Sequence, residues 1–201
     1  MTSERLYYDS FESSGYVVLP SVVSDRLWRA SREFLYDLAQ HRAGWRSSKK
    51  LHVEDALNVD GSVDAVVTND AVVNFVRDRL RHPHLHGARF RAPLPGFGAQ
   101  EIHTDDHADY AGPLRLITVI FPLDPFRKET GATRVIPASH KAHAQKFDIS
   151  EEPVPGEEII SADPGDALLM SGQLWHSGTM NVSSTPRGAL AVSWTEPSLW
   201  S

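Results

Sequence analysis

After residue 83 the sequence becomes a series of short apolar runs separated by turn-forming residues, and this pattern constrains the fold most strongly. The longest run, residues 114–123 (LRLITVIFPL), is rich in β-branched and aromatic side chains. Similar shorter runs follow at residues 133–136, 158–160, 166–170 and 189–194. Glycine and proline stand between them, as at Gly131 and Pro164-Gly165. Many short strands joined by such turns predict a mainly β protein, a sandwich or a jelly roll.

The first 80 residues predict a short strand and two helices that pack on one outer face of the sheet. Residues 15–20 (GYVVLP) are typical of a buried strand. Ser24 is a suitable N-cap for a helix. Its apolar stripe would consist of Leu27, Ala30, Phe34, Leu35 and Leu38. Asp70 is predicted to cap a second helix, which ends before Pro83. The inward residues of that helix would be Val72, Val73, Val76 and Leu80.

Length and composition exclude several classes of protein. The chain has 201 residues, which predicts a single domain over 1–201. It has no cysteine, so a disulfide scaffold, a thiol nucleophile and an iron–sulfur site are excluded. A net charge of −6 gives no broad attraction for nucleic acid, and no apolar run is long enough for a membrane span. Because the N-terminus also lacks a signal peptide pattern, we expect a cytoplasmic protein.

Two clusters of basic side chains lie near the middle of the sequence. Residues 77–91 contain five arginines and follow a helical pattern, so we interpret them as a solvated face. His82, His84 and His86 alternate within the same stretch. Pro83 interrupts them and no carboxylate joins them, so we interpret them as a partly exposed edge segment rather than a metal cluster.

The segment 100–109 (QEIHTDDHAD) contains the pattern His-x-Asp twice, at His103/Asp105 and at His107/Asp109. In a strand, residues i and i+2 point to the same face, so an imidazole and a carboxylate would converge. Together they supply two of the three ligands of a His/carboxylate/His metal site. The motif alone fits a polar loop with satisfied histidines equally well.

The C-terminal segment 165–194 supplies the candidates that complete such a site. An apolar strand leads to Trp175-His176, and after a polar turn Arg187 stands at the head of the last strand. An antiparallel return would place Arg187 beside the metal pocket, where a guanidinium binds a carboxylate through two hydrogen bonds. Taken alone, Arg187 is typical of a surface arginine near a turn.

With these residues in view, the chain resembles the phytanoyl-CoA dioxygenase family of iron(II)- and 2-oxoglutarate-dependent oxygenases. The stretches that carry the resemblance are FESSGYVVLPSVVS, QEIHTDDH, ETGATRVIPASH and GDALLMSGQLWHSG followed by TPRGAL. Their order and spacing agree with the family from residue 11 to residue 194. The chain is shorter than most members between its first helix and His103, and FPLDPF places Pro122 and Pro125 where many relatives are less interrupted.

The resemblance implies a fold and a role for eight residues. The fold would be a double-stranded β-helix, a cupin-like jelly roll with flanking helices. The catalytic iron(II) ligands would be His103, Asp105 and His176. Arg187 would bind the distal carboxylate of 2-oxoglutarate, and Gln100 and Thr133 match positions that touch this co-substrate in some members. His107 and Asp109 would line the mouth of the site.

The implied function is oxidation of a C–H bond in a small-molecule metabolite, with dioxygen and 2-oxoglutarate as co-substrates and succinate as a product. Halogenating relatives have a small residue at the carboxylate position, so Asp105 indicates oxygenation. Hydroxylation, desaturation and ring formation stay open, as do the substrate and the oligomeric state, although the short form fits a tailoring enzyme of secondary metabolism. Two other hypotheses are a zinc hydrolase using the same three ligands, in which Arg187 would have no role, and a non-catalytic jelly-roll binding module.

Overall fold

Two antiparallel sheets face each other in the computed structural model, which describes residues 3–41, 49–107, 112–141 and 153–197. The strands are β1 (Tyr16–Leu19), β2 (Lys50–Val53), β3 (His84–Pro93), β4 (Leu116–Pro122), β5 (Thr133–Val135), β6 (Glu158–Ile159), β7 (Ala167–Ser171), β8 (His176–Gly178) and β9 (Ala189–Thr195). The larger sheet has the order β1-β7-β4-β9-β3-β2, and the smaller has the order β6-β5-β8. The helices are α1 (Ser3–Ser14), α2 (Asp25–His41), α3 (Gly61–Val67) and α4 (Asp70–Arg79).

The larger sheet separates an apolar helix layer from a more polar interior. Along β4, Ile117, Val119 and Phe121 belong to the core that also contains buried side chains of α2, α3 and α4. Thr118 and Ile120, which alternate with them, line the cavity between the two sheets. Because neighbouring residues of a strand point to opposite faces, one strand serves both layers. This arrangement confirms the predicted jelly roll with helices on an outer face.

The predicted strands of the C-terminal part are confirmed to within two residues at each end. The run 114–123 forms β4, and the four shorter runs form β5, β6, β7 and β9. The predicted strand at 15–20 is β1, which pairs with β7. These segments were predictable because each combines a run of apolar residues, β-branched in all but β7, with a glycine or proline turn on at least one side.

The helix α2 is confirmed, but its buried stripe is rotated from the prediction. Ala30 is exposed, whereas Ser31 and Ala39 are buried beside Leu35. Ser31 tolerates burial because its hydroxyl donates to the Leu27 carbonyl at 3.1 Å. A polar residue whose hydrogen bond is satisfied inside its own helix gives no sign of burial in the sequence.

The second predicted helix is α4, and its cap is Asn69 rather than Asp70. The Asn69 Oδ1 accepts from the backbone N–H of Ala71 at 3.1 Å and of Val72 at 3.4 Å. Its Nδ2 donates to the Val22 carbonyl at 2.8 Å. An amide can do both, which a carboxylate cannot, so Asn69 caps the helix and also ties it to the chain after β1.

Two helices were missed in the sequence. Helix α3 has seven residues, too few to show a helical period, although Asp60 caps it by accepting from the Ser62 N–H at 2.8 Å. Helix α1 is mostly polar and docks through a few side chains, among them Tyr8, whose ring stacks on Phe75 at 5.0 Å between centroids. None of the helices in the described residues is long and apolar enough to cross a bilayer.

The interpretation of residues 77–91 as one solvated helical face is wrong. Helix α4 ends at Arg79, and the stretch continues as strand β3. Arg89 and Arg91 consequently lie on the inner face of the sheet, while Phe90 between them is buried under the helices. The interpretation of the alternating histidines as an exposed edge segment is confirmed for His84 and His86. Both are exposed, and they lie on the first half of β3, which pairs with β9 on one side and not with β2 on the other.

We predict that Gly131→Ala destabilises the fold much more than Gly156→Ala. Both glycines have a positive φ, +78° and +79°. A Cβ on Gly131 would lie 2.7 Å from the Asn181 nitrogen and 2.8 Å from the Thr179 oxygen, whereas one on Gly156 meets nothing within 4 Å. Because the two positions have nearly the same φ, alanine causes the same backbone strain at both. The additional overpacking at residue 131 should therefore lower the free energy of unfolding by about 2 kcal/mol more than the change at residue 156. Urea denaturation measures both losses, and equal losses would contradict this account.

Candidate metal centre

The site is built on a backbone bridge between His103 and His176. The N–H of each residue donates to the carbonyl of the other, both at 2.9 Å. His176 is also the first residue of β8 and pairs with Val135 of β5, so the bridge extends the smaller sheet. The two imidazoles lie side by side, with ring centroids 4.6 Å apart.

Asp105 completes a cluster of three potential metal ligands. Its Oδ1 lies 4.0 Å from His103 Nε2, and its Oδ2 lies 3.7 Å from His176 Nε2. One donor atom from each residue can be chosen so that all three lie within 4.8 Å of one another. Elsewhere in the described residues no other three histidine, aspartate or glutamate donors converge in this way. The chain bends after His103, so the convergence does not come from a regular strand as the spacing had suggested.

The hydrogen bonds around the cluster leave the Nε2 atoms of both histidines and one oxygen of Asp105 available to a metal. The Nδ1 of His103 lies 2.8 Å from the Glu101 carbonyl, and the Nδ1 of His176 lies 2.9 Å from the Leu174 carbonyl. Since a carbonyl only accepts, the proton of each neutral ring belongs on Nδ1, and the Nε2 lone pair faces Asp105. The Thr118 hydroxyl donates to Asp105 Oδ2 at 2.5 Å and orients the carboxylate.

Burial keeps His176 in the form that binds metals. The residue is 7% exposed, and desolvation lowers the pKa of its imidazole below the usual value, against the opposing effect of the Asp105 carboxylate. A neutral imidazole at neutral pH needs no proton removed before it coordinates a cation.

The adjacent aspartate has a structural role. Asp106 is buried, and its carboxylate forms a two-pronged ion pair with Arg115, with N–O distances of 2.8 and 3.0 Å. The His-x-Asp spacing pointed to Asp105 as the candidate ligand, but nothing in the sequence indicated that Asp106 turns inward to pair with Arg115. Of the second predicted pair, His107 is exposed and Asp109 lies outside the described residues.

Arg187 lies in the wall of the same cavity, which has a volume of about 150 Å³ and also includes the three candidate ligands. The residue is 7% exposed, its Nη2 donates to the Gly131 carbonyl at 2.6 Å, and its guanidinium lies 4.4 Å from the Phe126 ring centroid. Its Nε is buried and has no hydrogen-bond partner. Burial, followed by the charge of Arg91, lowers the pKa of Arg187 to about 10, so it stays charged at neutral pH.

The backbone next to Arg187 is fixed by Asp124. The Gly188 N–H donates to Asp124 Oδ2 at 2.7 Å, and the same oxygen accepts from the Tyr36 hydroxyl at 2.5 Å. Arg32 of α2 forms an ion pair with the other oxygen at 2.8 Å. The helix layer therefore contributes directly to the position of Arg187.

The two weaker candidates, Gln100 and Thr133, also line the cavity. Thr133 is buried on β5, and the Gln100 N–H donates to the Gly178 carbonyl at 3.0 Å. Sequence reasoning missed Thr118, although a single polar residue among the apolar residues of β4 is a detectable sign of an inward-facing position. It also missed Arg89 and Arg91, because the apparent helical pattern concealed the strand.

A model of the phytanoyl-CoA dioxygenase (PhyH) family matches residues 11–189. The chain belongs to this family. Dioxygenase trt7 of Aspergillus terreus (strain NIH 2624 / FGSC A1156) is 27% identical over an alignment of 211 residues, gaps included. The alignment covers 90% of this chain and 70% of trt7. Dioxygenase cdmA of Talaromyces verruculosus is 36% identical over 106 residues, which cover 49% of this chain and 35% of cdmA.

Solved structures of two enzymes share the fold. HygX from Streptomyces hygroscopicus, with nickel and 2-oxoglutarate bound, superposes with a TM-score of 0.80 at 18% identity, over 98% of this chain and 88% of HygX. SnoN, a non-heme alpha ketoglutarate dependent epimerase from nogalamycin biosynthesis, superposes with a TM-score of 0.77 at 16% identity, over 96% of this chain and 81% of SnoN. The expected cofactors, iron(II) and 2-oxoglutarate, are confirmed as those of the family.

We predict that Asp105 is required for metal binding and that the neighbouring Asp106 is required for the stability of the fold. Asp105→Ala, like His176→Ala, should abolish iron(II) binding and leave the metal-free fold nearly as stable. Asp106→Ala should lower the free energy of unfolding by about 3 kcal/mol, because it removes the buried carboxylate that pairs with the largely shielded Arg115 guanidinium. Metal content after dialysis and urea denaturation give the two readouts. Tight metal binding by the Asp105 variant would contradict the assignment of ligands.

Proposed function

We propose that this protein, as a single domain over residues 1–201, is an iron(II)- and 2-oxoglutarate-dependent oxygenase that oxidises a C–H bond of a small molecule. One observation carries the proposal: a His/Asp/His cluster and a buried arginine with an unsatisfied N–H line the same cavity. A cluster of that composition suits iron(II), and the arginine suits an organic anion bound next to it.

The residues present fit both groups. His103, Asp105 and His176 would hold the iron by Nε2, a carboxylate oxygen and Nε2. Three protein ligands leave octahedral positions for a chelating 2-oxoacid and for dioxygen. When bound, iron(II) and 2-oxoglutarate would activate dioxygen, the oxidant: one oxygen atom would enter the co-substrate, which loses carbon dioxide and becomes succinate, and the other would oxidise the substrate.

The protein positions the reactants and excludes water. Arg187 would bind the distal carboxylate of 2-oxoglutarate through its free Nε and a terminal nitrogen. Gln100 and Thr133 would hold the same co-substrate from the sides. Ile120, Ala189 and Ala191 form an apolar part of the cavity wall, where charge-assisted hydrogen bonds are stronger than in water.

Oxygenation is the proposed outcome, with hydroxylation as its simplest form. The Asp105 carboxylate is held by Thr118 toward the two imidazoles and would occupy the coordination position that a halide needs. A zinc hydrolase could use the same three ligands, but it would leave the buried charge of Arg187 without a function. A non-catalytic binding module would not require both the three ligands and the arginine.

We expect Arg187→Ala to raise the half-saturating concentration of 2-oxoglutarate roughly thirtyfold or more and to leave iron(II) binding unchanged. The reason is the loss of a charge-assisted pair worth about 2 kcal/mol. Titration of 2-oxoglutarate into the anaerobic iron(II) protein measures the change. Arg29→Ala, which removes a largely exposed arginine of α2, is the control. An unaltered half-saturation would mean that another residue binds this carboxylate.

The proposed function is tested by adding iron(II) and then 2-oxoglutarate to the protein without oxygen. A visible charge-transfer band should form in the wild type and be absent in Asp105→Ala. On admission of oxygen, slow production of succinate should accompany consumption of 2-oxoglutarate even without a substrate. If neither band nor succinate forms while zinc(II) binds and supports ester hydrolysis, the hydrolase hypothesis replaces this one.

A further inference from the structure

A patch of basic side chains lies on the inner face of the larger sheet, where β2 and β3 pair. Lys50 and His52 alternate with the buried Leu51 and Val53 along β2. His52 stands opposite Arg91 in the register of the two strands, and Arg89 lies two residues before Arg91 on the same face. Lys50, His52, Arg89 and Arg91 therefore share the face that looks toward the metal centre.

Two members of this patch belong to the wall of the metal-site cavity. Arg89 and Arg91 line it together with the three candidate ligands and Arg187. Arg89 is exposed and Arg91 is half-buried, so the pair lies between the interior and the solvent. A second cavity, of about 220 Å³, adjoins the first and shares Arg91 and Pro93 with it. Lys50 lines the second cavity.

Neither Arg89 nor Arg91 has a carboxylate partner within the described residues. The Nε of Arg91 is buried without a hydrogen bond, and burial, followed by the charge of Arg89, lowers the pKa of Arg91. The nearby carboxylate of Glu54 raises the pKa of Arg91. Its Oε1 atom lies 3.9 Å from His52 Nε2. Two adjacent cations with an unsatisfied buried donor are costly unless an anion binds between them.

Arg115 and Arg134, whose side chains are 13% and 8% exposed, show what a structural role looks like in this protein. Arg115 forms its two-pronged pair with Asp106, and Arg134 pairs with Glu157 at 3.0 Å. Each has a carboxylate partner that is itself largely shielded from solvent, 2% exposed in Asp106 and 12% exposed in Glu157. Arg91 lines the cavity without one, so its charge is available to a molecule that enters the cavity.

The co-substrate does not account for this charge. In the proposed function one end of 2-oxoglutarate chelates the metal and the other pairs with Arg187, so both of its carboxylates have partners. Arg89 and Arg91 lie nearer the solvent than Arg187, which is 7% exposed. The remaining molecule that must reach the metal centre is the substrate to be oxidised.

We propose that Arg89 and Arg91 bind an anionic group of this substrate, a carboxylate or a phosphate or sulfate monoester, and that Lys50 adds positive charge at the adjoining cavity. The inference rests on the proposed function and specifies the chemical class of its substrate. The fixed anion anchors the molecule in the cavity, so that one of its C–H bonds lies at the metal centre.

The test compares a charged with a neutral probe on the anaerobic iron(II) protein saturated with 2-oxoglutarate. Binding of phenyl phosphate, benzoate and benzyl alcohol is measured by ligand-observed NMR, and the visible band reports the occupancy of 2-oxoglutarate. The variants are R89Q/R91Q and, as a milder change at an exposed position, R89Q alone. The charge-matched control is R77Q/R81Q, which removes two exposed arginines outside the cavity.

The two anions should bind the wild type at least tenfold more tightly than benzyl alcohol, and raising the salt should weaken only the anions. R89Q/R91Q should lose this preference, R89Q part of it and R77Q/R81Q none, with 2-oxoglutarate half-saturation changed less than twofold. Equal binding of charged and neutral probes would overturn the proposal. So would a tenfold rise in 2-oxoglutarate half-saturation in R89Q/R91Q with anion binding intact. A wild type without the visible band refutes the proposed function instead, and loss of anion preference in R89Q/R91Q would still support the anion site.

Discussion

The site depends on a short stretch of antiparallel backbone pairing between two segments that are far apart in the chain. Gln100 donates to Gly178, His103 and His176 exchange hydrogen bonds, and Asp106 donates to Gly172 at 2.8 Å. These contacts align residues 100–106 against 172–178 without forming a regular strand pair. Because side-chain directions follow from that alignment, two histidines 73 residues apart present their Nε2 atoms to one point.

The cavity between the sheets combines one carboxylate with several cations. Asp105 is the acidic member of the metal cluster, while Arg187, Arg91 and Arg89 extend from the interior to the solvent. Low polarizability around the buried Arg187 strengthens its interaction with an anion. An excess of positive charge next to a metal site favours organic anions over neutral molecules, whatever the remaining shape of the ligand.

The sequence predicted the features that are carried by short-range patterns. The strands followed from apolar runs between turns, and the three candidate metal ligands that the structure brings together followed from QEIHTDDH and the context of His176. Long-range features were not accessible: the local spacing favoured Asp105 as the candidate ligand, but the inward turn of Asp106 depends on Arg115 on the other side of the motif. The basic stretch was misinterpreted because α4 passes into β3 after Leu80, and the arginines on the two elements continue an apparent helical period.

The carboxylate of Asp124 connects the helix layer to the cavity between the sheets, because it has partners in both. It accepts from Tyr36 of α2 and also from the Gly188 backbone beside Arg187. An undocked α2 would leave Asp124 without Tyr36 and Arg32, although the carboxylate could still accept from Gly188. The helix layer therefore orients the carboxylate that fixes the backbone beside Arg187, and a ligand bound at Arg187 favours that same arrangement from the opposite face of the sheet.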